Sequence, residues 1–292
     1  APFLSRVGGV SSWDSGLLAA PQREFIRAKL GTPRLVEDFS WGLVDTRVLH
    51  IGVGGEQFIA KAASPDNHHI HREITAHQSA TQPLVDLGLT SRLVAASHDL
   101  NLLVITYQEG VLAEGTPAEL DADIHRQAGA ALRALHAQSS RVDEEYEHRA
   151  TARAFDWLDG EHRIAPAVET DARAALRSYR PAAIEVVPTH GDWQPRNWLV
   201  AGSQLRVIDF GRFDWRPRAS DLCRVAAKQW QRAPDLEAAL LKGYGFDPRD
   251  EHVWKIDRLR EGIATAAWAY SVGAEAFEQQ GHRMLTEALA RL

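Results

Sequence analysis

The sequence predicts an α+β protein with two lobes, a small antiparallel sheet followed by a mostly helical region. Short segments rich in β-forming residues and separated by glycine turns occupy the chain up to residue 108. Amphipathic helical patterns dominate from residue 109 onward. We therefore expect domain boundaries at 1–108 and 109–292.

Composition sets broad limits on function. The chain has 292 residues, 45% of them hydrophobic, and a formal net charge of −6. It is long enough to bury the cores of about two domains. The acidic balance argues against nucleic-acid binding and favours cationic small molecules. Because Ala1–Val10 lacks signal-peptide features and no run approaches about 18 apolar residues, we expect a cytoplasmic protein without a membrane span.

Cys223 is the one cysteine of the chain, which excludes an internal disulfide and a multi-cysteine zinc site. It lies in the apolar helical context Asp-Leu-Cys-Arg-Val, so we interpret it as a buried packing residue. A reducing compartment fits this usage.

The chain ahead of residue 108 is predicted to contain helices and strands in a fixed order. A first helix covers Leu17–Leu30 and stops at Gly31. Three strands follow, at Arg34–Phe39, Thr46–Val53 and Gln57–Ala62. A second helix begins after the start signal Ser64-Pro65-Asp66-Asn67, and two more strands occupy the range 90–108. Together the strands form one antiparallel sheet.

Two patterns in this region imitate binding motifs. Gly52, Gly54 and Gly55 resemble a dinucleotide motif, but a strand follows where a helix is required, so we interpret them as a hairpin turn. The second helix also carries four histidines, His68, His69, His71 and His77. Adjacent helical positions point apart, so we expect a solvated helix face and no metal site.

The region after residue 109 has several helix signals. Thr116–Glu119 is a capping box with Pro117 at the first helical position, and an apolar stripe continues from it to Leu135. Asp221 is predicted to open another helix as its N-cap. Three amphipathic helices end the chain, over Leu236–Leu241, Lys255–Tyr270 and His282–Leu292.

The stretch from His190 to Asp209 gathers charge-handling side chains. Leu199–Val200 and Leu205–Ile208 are predicted strands joined by a Gly-Ser turn. Antiparallel pairing returns the chain, so Asn197 before the first strand and Asp209 after the second come close together. An amide oxygen and a carboxylate held in this way suit a hard cation such as Mg²⁺. Asp192, five residues ahead of Asn197 on the same loop, is expected to face the same point.

The order of these residues resembles the catalytic and metal loops of kinases. His190-Gly191-Asp192 is followed by four residues and Asn197, and Asp209-Phe210-Gly211 comes after the hairpin. With glycine in place of the usual arginine at Gly191, the pattern is similar to the aminoglycoside phosphotransferase family, small-molecule kinases of the protein-kinase-like fold. The resemblance extends from about Thr32 to the C-terminus.

The resemblance implies a role for each matching residue. Asp192 is implied as the catalytic base or orienter of the acceptor hydroxyl, and Asn197 and Asp209 as Mg²⁺ ligands. Lys61 pairs with the phosphates of ATP, or of GTP as an alternative, and Glu73 orients Lys61. The full set of implied nucleotide-binding residues is Lys61, Glu73, Thr106, Gln108 and Leu199.

The resemblance also assigns larger segments. Residues 1–108 become the nucleotide-binding lobe, and 109–292 the lobe with the catalytic loop and the acceptor pocket. Asp221 is implied to brace the catalytic loop through its backbone. The phosphate loop departs from protein kinases, since Phe39–Leu43 contains one glycine where they have three, and Ser40–Gly42 are its candidates. Candidate acceptor residues are Trp193, Asp214, Trp215, Trp230, Glu261, Trp268 and Tyr270.

The expected activity is transfer of the γ-phosphoryl group of ATP to a hydroxyl of a small polar molecule, by a monomer or homodimer. An aminoglycoside or a similar cationic antibiotic is the expected acceptor, which would make the protein a resistance enzyme. The alternative is a metabolic kinase for an amino sugar, sugar, choline-like or homoserine-like acceptor. Two other classes stay open, a nucleotide-binding pseudokinase and a metal-dependent hydrolase using His190, Asp192 and Asp209. The hydrolase would leave Lys61 without a role.

Overall fold

A computed structural model describes residues 12–42 and 45–292. Ala1–Val10, and Leu43 of the candidate phosphate loop, lie outside the described residues. Contacts divide the chain into two compact units. The first contains the described residues up to Ser79 together with Ser91–Gln108, and the second contains Ala80–Thr90 and Glu109–Leu292.

The first unit is built on a five-stranded antiparallel sheet with the order β1-β2-β3-β5-β4. Its strands are β1 (Arg34–Asp38), β2 (Arg47–Val53), β3 (Glu56–Ala62), β4 (Leu93–Ser97) and β5 (Leu102–Thr106). The predicted sheet is thereby confirmed. The β2–β3 hairpin turns at Gly54 and Gly55, which have φ values of 58° and 92° and confirm the interpretation as a turn.

Two helices cover the two faces of this sheet. They are α1 (Ala20–Leu30) and α2 (His68–Ser79). Ile26 of α1 packs with Leu49 and Ile51 on one face, and Ile70 and Ile74 of α2 pack on the other. Because side chains alternate along a strand, β3 presents Phe58 and Ala60 to the α1 side and Ile59 to the α2 side. Lys61 follows the same alternation and lies on the face covered by α2.

The second unit is mostly helical, as predicted. Its helices are α3 (Gln82–Asp86), α4 (Ala122–His136), α5 (Tyr146–Asp159), α6 (Pro166–Ser178), α7 (Cys223–Ala227), α8 (Gln229–Arg232), α9 (Asp235–Tyr244), α10 (Glu251–Ser271) and α11 (Glu275–Leu289). Across residues 12–42 and 45–292, each helix is either too short or too polar to span a membrane.

Two small antiparallel sheets complete the second unit. Their strands are β6 (Val111–Leu112), β7 (Arg141–Asp143), β8 (Ile184–Thr189), β9 (Trp198–Ala201), β10 (Gln204–Val207) and β11 (Asp214–Arg216). The strand orders are β10-β9-β6 and β11-β8-β7. The predicted hairpin around Gly202 is the β9–β10 pair. Gln127 of α4 holds it, since its side chain accepts from Leu205 N at 3.0 Å and donates to Ser203 O at 2.7 Å.

The predicted start of α4 is wrong. The capping-box residues form a 3-10 turn at Pro117–Leu120, and the α-helix begins at Ala122. Asp121 is the true N-cap, because its side chain accepts from the backbone N–H of Asp123 and of Ile124. Glu119 is buried and accepts from Gly115 N at 2.9 Å, so it caps the preceding turn and does not cap the helix.

Helix pairs in this unit pack at very short distances. A Cβ at Gly129 of α4 would lie 2.0 Å from Leu240 O of α9, and one at Gly243 of α9 would lie 1.8 Å from Arg126 O. Glycine at both positions therefore lets the two backbones touch.

Cys223 begins α7 and is buried, which confirms its packing role, and burial raises the pKa of its thiol well above the usual value.

Candidate active site

In the first unit, Lys61 and Glu73 form a buried ion pair. The Lys61 Nζ lies 2.7 Å from Glu73 Oε1 and 2.9 Å from Oε2. The residues are 8% and 2% exposed. The alternation of β3 and the apolar face of α2 bring them together, because each side chain points into the layer between strand and helix. The ammonium is therefore held in one position by a bidentate carboxylate.

The histidines of α2 differ from the expected solvated face at one position. His68 and His69 are exposed and His71 is half-buried, but His77 is half-buried in a site where burial and the charge of Lys61 lower its pKa to about 3. His77 is therefore neutral at physiological pH. Within the described ranges there is no cluster of three or more His, Cys, Asp or Glu residues suited to a metal, so these histidines do not form one.

In the second unit, the loop that is predicted to be catalytic begins at His190, where β8 ends, and is braced by Asp221. The Asp221 carboxylate accepts from His190 N at 2.9 Å and Gly191 N at 2.6 Å. His136 Nε2 donates to the same carboxylate at 3.0 Å. Asp221 lies inside a 3-10 turn and Leu222 is the N-cap of α7, so its predicted capping role is wrong while the bracing hydrogen bonds are present. Burial opposes its ionisation, but hydrogen bonding and charge from His136 keep the pKa of Asp221 below its ordinary value.

Gly191 is required by the path of this loop. Its φ is 80°, and a Cβ there would lie 2.2 Å from Arg212 O. A side chain at this position is therefore excluded both by conformation and by space. This explains why glycine stands where the protein-kinase pattern has arginine.

His190 has a structural position. Its Nε2 donates to Ile208 O at 3.0 Å, and its Nδ1 accepts from Asp192 N at 3.2 Å. The ring also packs against Phe210, with centroids 4.7 Å apart. Both ring nitrogens are thus used to hold the loop, in agreement with the interpretation that His190 is structural.

Asp192 is almost completely buried, with 3% exposure. Its Oδ1 accepts from Gln194 Nε2 at 2.6 Å, and its Oδ2 accepts from Arg196 Nη2 at 2.6 Å and from Asn197 Nδ2 at 2.9 Å. Arg224 Nη1 lies 3.1 Å from Oδ1. The structure therefore brings Asp192 and Asn197 together, as the loop spacing predicts.

Asp192 is also strongly ionised. Burial raises the pKa of the carboxyl, but the charges of Arg224, Arg196 and Arg212 outweigh it and hold the pKa of Asp192 well below the usual range for aspartate. Asp192 is thus an anion at any pH near neutrality. A carboxylate of this kind is a weak base and a strong hydrogen-bond acceptor.

The oxygen donors of Asn197 and Asp209 fit a hard cation. Asn197 Nδ2 donates to both the backbone oxygen and the Oδ2 of Asp192, so the amide oxygen is not used in these contacts and can coordinate a cation. Ile208 N donates to Asn197 O at 3.0 Å and extends the β9–β10 register, so Asp209 follows directly after a residue paired with Asn197. Asp209 itself has φ 66°, a left-handed conformation that aspartate tolerates. One amide and one carboxylate oxygen suit Mg²⁺, which takes its other ligands from phosphates and water.

Of the remaining predicted nucleotide residues, Thr106 and Leu199 lie in strands and Gln108 lies in the segment after β5. Thr106 ends β5, and its N–H donates to Arg92 O at 3.0 Å. Gln108 follows, and within the described part of the chain its N–H makes no hydrogen bond. Leu199 is half-buried on β9, in the same unit as Asp192. Thr106 and Gln108 belong to the unit of Lys61.

Sequence reasoning missed the arginines around Asp192 and overestimated the aromatic residues. Trp193 and Trp230 are 0% and 5% exposed and serve as core. Arg196, Arg212 and Arg224 were not predicted as site residues. A signal was present for one of them, because Arg212 directly follows Asp-Phe-Gly.

Comparisons with known proteins find similar folds. In fold, the chain is similar to a thermostable mutant of aminoglycoside phosphotransferase APH(4)-Ia, with 15% identity, TM-score 0.66, and coverage of 91% of this chain and 98% of that one. It is also similar to choline kinase LicA from Streptococcus pneumoniae, with 15% identity, TM-score 0.64, and coverage of 94% and 100%. Macrolide 2'-phosphotransferase MphH from Brachybacterium faecium has 17% identity, TM-score 0.59, and coverage of 92% and 98%.

These likenesses confirm the predicted kinase-like fold. A sequence comparison with curated proteins finds no match. The model of the phosphotransferase enzyme family matches residues 36–255. That match begins within β1 and covers the other strands of that sheet, the loop that starts at His190 and the hairpin that leads to Asp209. Because it spans well over half of the sequence, the chain belongs to the phosphotransferase enzyme family.

Proposed function

We propose that this protein transfers the γ-phosphoryl group of ATP to a hydroxyl of a small polar molecule. The observation that carries the proposal is the loop in which an ionised, buried Asp192 is hydrogen-bonded to Asn197, with Asp209 at the end of the hairpin that follows. Phosphoryl transfer requires positioning and charge neutralisation more than covalent chemistry from the protein. This loop supplies the groups for both.

Asp192 is proposed to orient the acceptor hydroxyl. Its carboxylate accepts a hydrogen bond from the hydroxyl and points the oxygen at the γ-phosphorus. It takes the proton as the new O–P bond forms and the bond between the γ-phosphorus and the bridging oxygen breaks, with ADP as the leaving group. Because its pKa is held low, it acts mainly by orientation, with proton transfer late in the reaction. Removal of such a group lowers rates by about 100- to 10,000-fold.

Lys61 is proposed to neutralise nucleotide phosphates, with Glu73 fixing its position. The backbone of Thr106 and Gln108 is proposed to bind the adenine, and the N–H of Gln108 is available for that contact. Asn197 and Asp209 would hold Mg²⁺, which when bound offsets the negative charge of the phosphates. Structures similar in fold include APH(4)-Ia mutants in complexes with ADP or AMP-PNP and hygromycin B, which supports nucleotide use.

Two acceptor classes follow from the relatives. Aminoglycoside and macrolide phosphotransferases among the structural neighbours support an antibiotic acceptor and a role in resistance. Choline kinase supports the metabolic alternative. One observation in this chain favours a metabolic acceptor: three arginines surround Asp192, where a polycationic antibiotic would meet like charge.

A buried single thiol agrees with a cytoplasmic location.

The test is ADP formation with Mg·ATP or Mg·GTP against a panel of aminoglycosides, macrolides, amino sugars, choline and homoserine. Asp192→Ala protein is the control. Turnover that depends on an acceptor and disappears in the control supports the proposal. Nucleotide binding without turnover by any acceptor favours a pseudokinase, and absence of nucleotide binding overturns the proposal.

A further inference from the structure

The arginine cluster consists of Arg196, Arg212 and Arg224, which come from three parts of the second unit. Arg196 lies in the 3-10 turn of the catalytic loop, Arg212 follows the Asp-Phe-Gly sequence, and Arg224 belongs to α7. The charges of all three act on the Asp192 carboxylate. The side chains of Arg196 and Arg224 keep 23% and 16% exposure, so they are accessible to a small ligand.

The cluster has more positive than negative charge. Arg196 pairs with Asp192 at 2.6 Å, and Arg224 bridges Asp192 at 3.1 Å and Glu261 at 2.5 Å. These two carboxylates therefore already have cationic partners. Three guanidinium groups face two carboxylates.

Arg212 is the arginine without a matching anion. No carboxylate in residues 12–42 or 45–292 forms an ion pair with its half-buried guanidinium, which instead lies 5.9 Å from the centroid of the Trp268 ring. Repulsion from Arg224, together with burial, outweighs the attraction of the Asp192 and Glu261 carboxylates and lowers the pKa of Arg212 to about 10. A partly buried cation without a paired carboxylate is unfavourable, and a bound anion would reduce the cost.

We propose that the acceptor carries an anionic group, a carboxylate or a phosphate, which binds to the arginine cluster while its hydroxyl meets Asp192. This inference rests on the proposed function and narrows its acceptor class to hydroxy acids or phosphate esters. Arginine suits this role because its planar fork binds both oxygens of a carboxylate or phosphate. The rings of Trp268 beside Arg212 and Phe277 beside Arg196 hold the guanidinium planes in place.

The test uses matched acceptor probes that differ in one anionic group. Glycerate is compared with glycerol, serine with ethanolamine, and glycerol 3-phosphate with glycerol, and choline and hygromycin B serve as cations. Binding is measured by calorimetry with Mg·ADP present, and turnover with Mg·ATP. Comparison of the carboxylate probes with the phosphate probe shows which of the two anionic groups the arginine cluster binds.

We expect at least one probe with a carboxylate or phosphate to bind about tenfold or more tightly than its partner without that group, the size of one charged hydrogen bond. Arg212→Gln should remove that preference and leave ADP affinity unchanged. Arg212→Lys keeps the charge but loses the planar fork, so it should retain part of the preference for the anionic probe. Partial retention would show that the effect of Arg212→Gln is not caused by a folding defect. Arg126→Gln, at an exposed position of α4, is the control, with the same change of charge and no expected effect.

Three results would overturn the inference. One is equal or weaker binding of every anionic probe relative to its partner. Another is loss of ADP affinity in Arg212→Gln with acceptor preference intact, because the cluster would then serve the nucleotide. The third is turnover with choline or hygromycin B alone. That result would contradict an anionic acceptor but would still support the proposed phosphotransferase activity. Anion binding that depends on Arg212, without any turnover, would support the inference and count against the proposed function.

Discussion

Replacing Asp221 by asparagine should lower the stability of the protein and disturb the position of the loop that carries Asp192. The carboxylate has no solvent exposure and accepts hydrogen bonds from His190 N, Gly191 N and His136 Nε2, at 2.9, 2.6 and 3.0 Å. Asparagine keeps the shape but turns one acceptor oxygen into an NH₂ group. That group must face at least one N–H donor, so a buried donor loses its acceptor.

The size of the effect follows from these contacts. A hydrogen bond to a charged group contributes about 1.5–3 kcal/mol, and a buried unsatisfied donor adds a desolvation penalty of about 1–3 kcal/mol. We therefore expect Asp221→Asn to lower the free energy of unfolding by about 3–5 kcal/mol, a large part of the ~5–15 kcal/mol typical of whole domains. Because the brace holds the backbone next to Asp192, kcat should fall while nucleotide affinity stays near wild type.

Urea unfolding at pH 7, together with phosphoryl transfer and nucleotide binding, measures the effect. Asp123→Asn, at an exposed site paired with Arg126, is the matched control and should leave stability close to wild type. The pKa of Asp221 is lowered by folding, so its contribution is present above pH ~4 and is lost as pH falls through the folded-state pKa. The gap between wild type and Asp221→Asn should therefore narrow in acid. A variant within about 1 kcal/mol of wild type at pH 7 would refute the bracing role.

Three further predictions follow from the described contacts. Gly191→Ala should lower the free energy of unfolding by about 3 kcal/mol or more, because φ is 80° and the new Cβ would lie 2.2 Å from a backbone oxygen. Gly202→Ala, at φ 62° in open space, should lower it by only about 1–2 kcal/mol. Urea unfolding measures both. Glu73→Gln should weaken ATP binding in calorimetry and destabilise by about 3 kcal/mol, because Lys61 loses its buried partner. Burial raises the pKa of Asp257 to about 7, so folding favours its protonated form; stability of the wild type should fall as pH rises from ~4 to 7, and Asp257→Asn should remove this fall in pH-dependent unfolding.

Each of these predictions has a result that would contradict it. Equal stability of the two alanine variants would mean that the space around Gly191 is not limiting. Unchanged ATP affinity in Glu73→Gln would separate the ion pair from nucleotide binding. A difference between wild type and Asp257→Asn that does not vary with pH would show that Asp257 does not titrate in this range.

The parts of the site that the sequence predicts are those fixed by local geometry. Asn197 and Asp192 share one loop, and a hairpin with a two-residue turn determines where Asp209 returns. Lys61 could be placed because strand alternation assigns it a face. These relations depend on periodicity and turn chemistry, which a sequence carries directly.

The parts that the sequence did not predict depend on tertiary placement. Arg224 reaches Asp192 only because α7 packs beside the loop. The start of α4 depends on Glu119, which Gln229 and Arg232 recruit into a buried network, so the capping-box pattern forms a different turn. The sequence could not show that Trp193 is a core residue. An aromatic side chain suits both core packing and ligand binding, and only its burial distinguishes the two.

The decisive measurement is transfer of labelled γ-phosphate from Mg·ATP to an acceptor, by wild type and by Asp192→Ala, with nucleotide affinity measured for both. We predict a labelled acceptor with wild type and a fall of about 100- to 10,000-fold in kcat for the variant, at unchanged nucleotide affinity. Transfer by Asp192→Ala at a rate comparable to wild type would contradict the role of Asp192 and the proposed function with it.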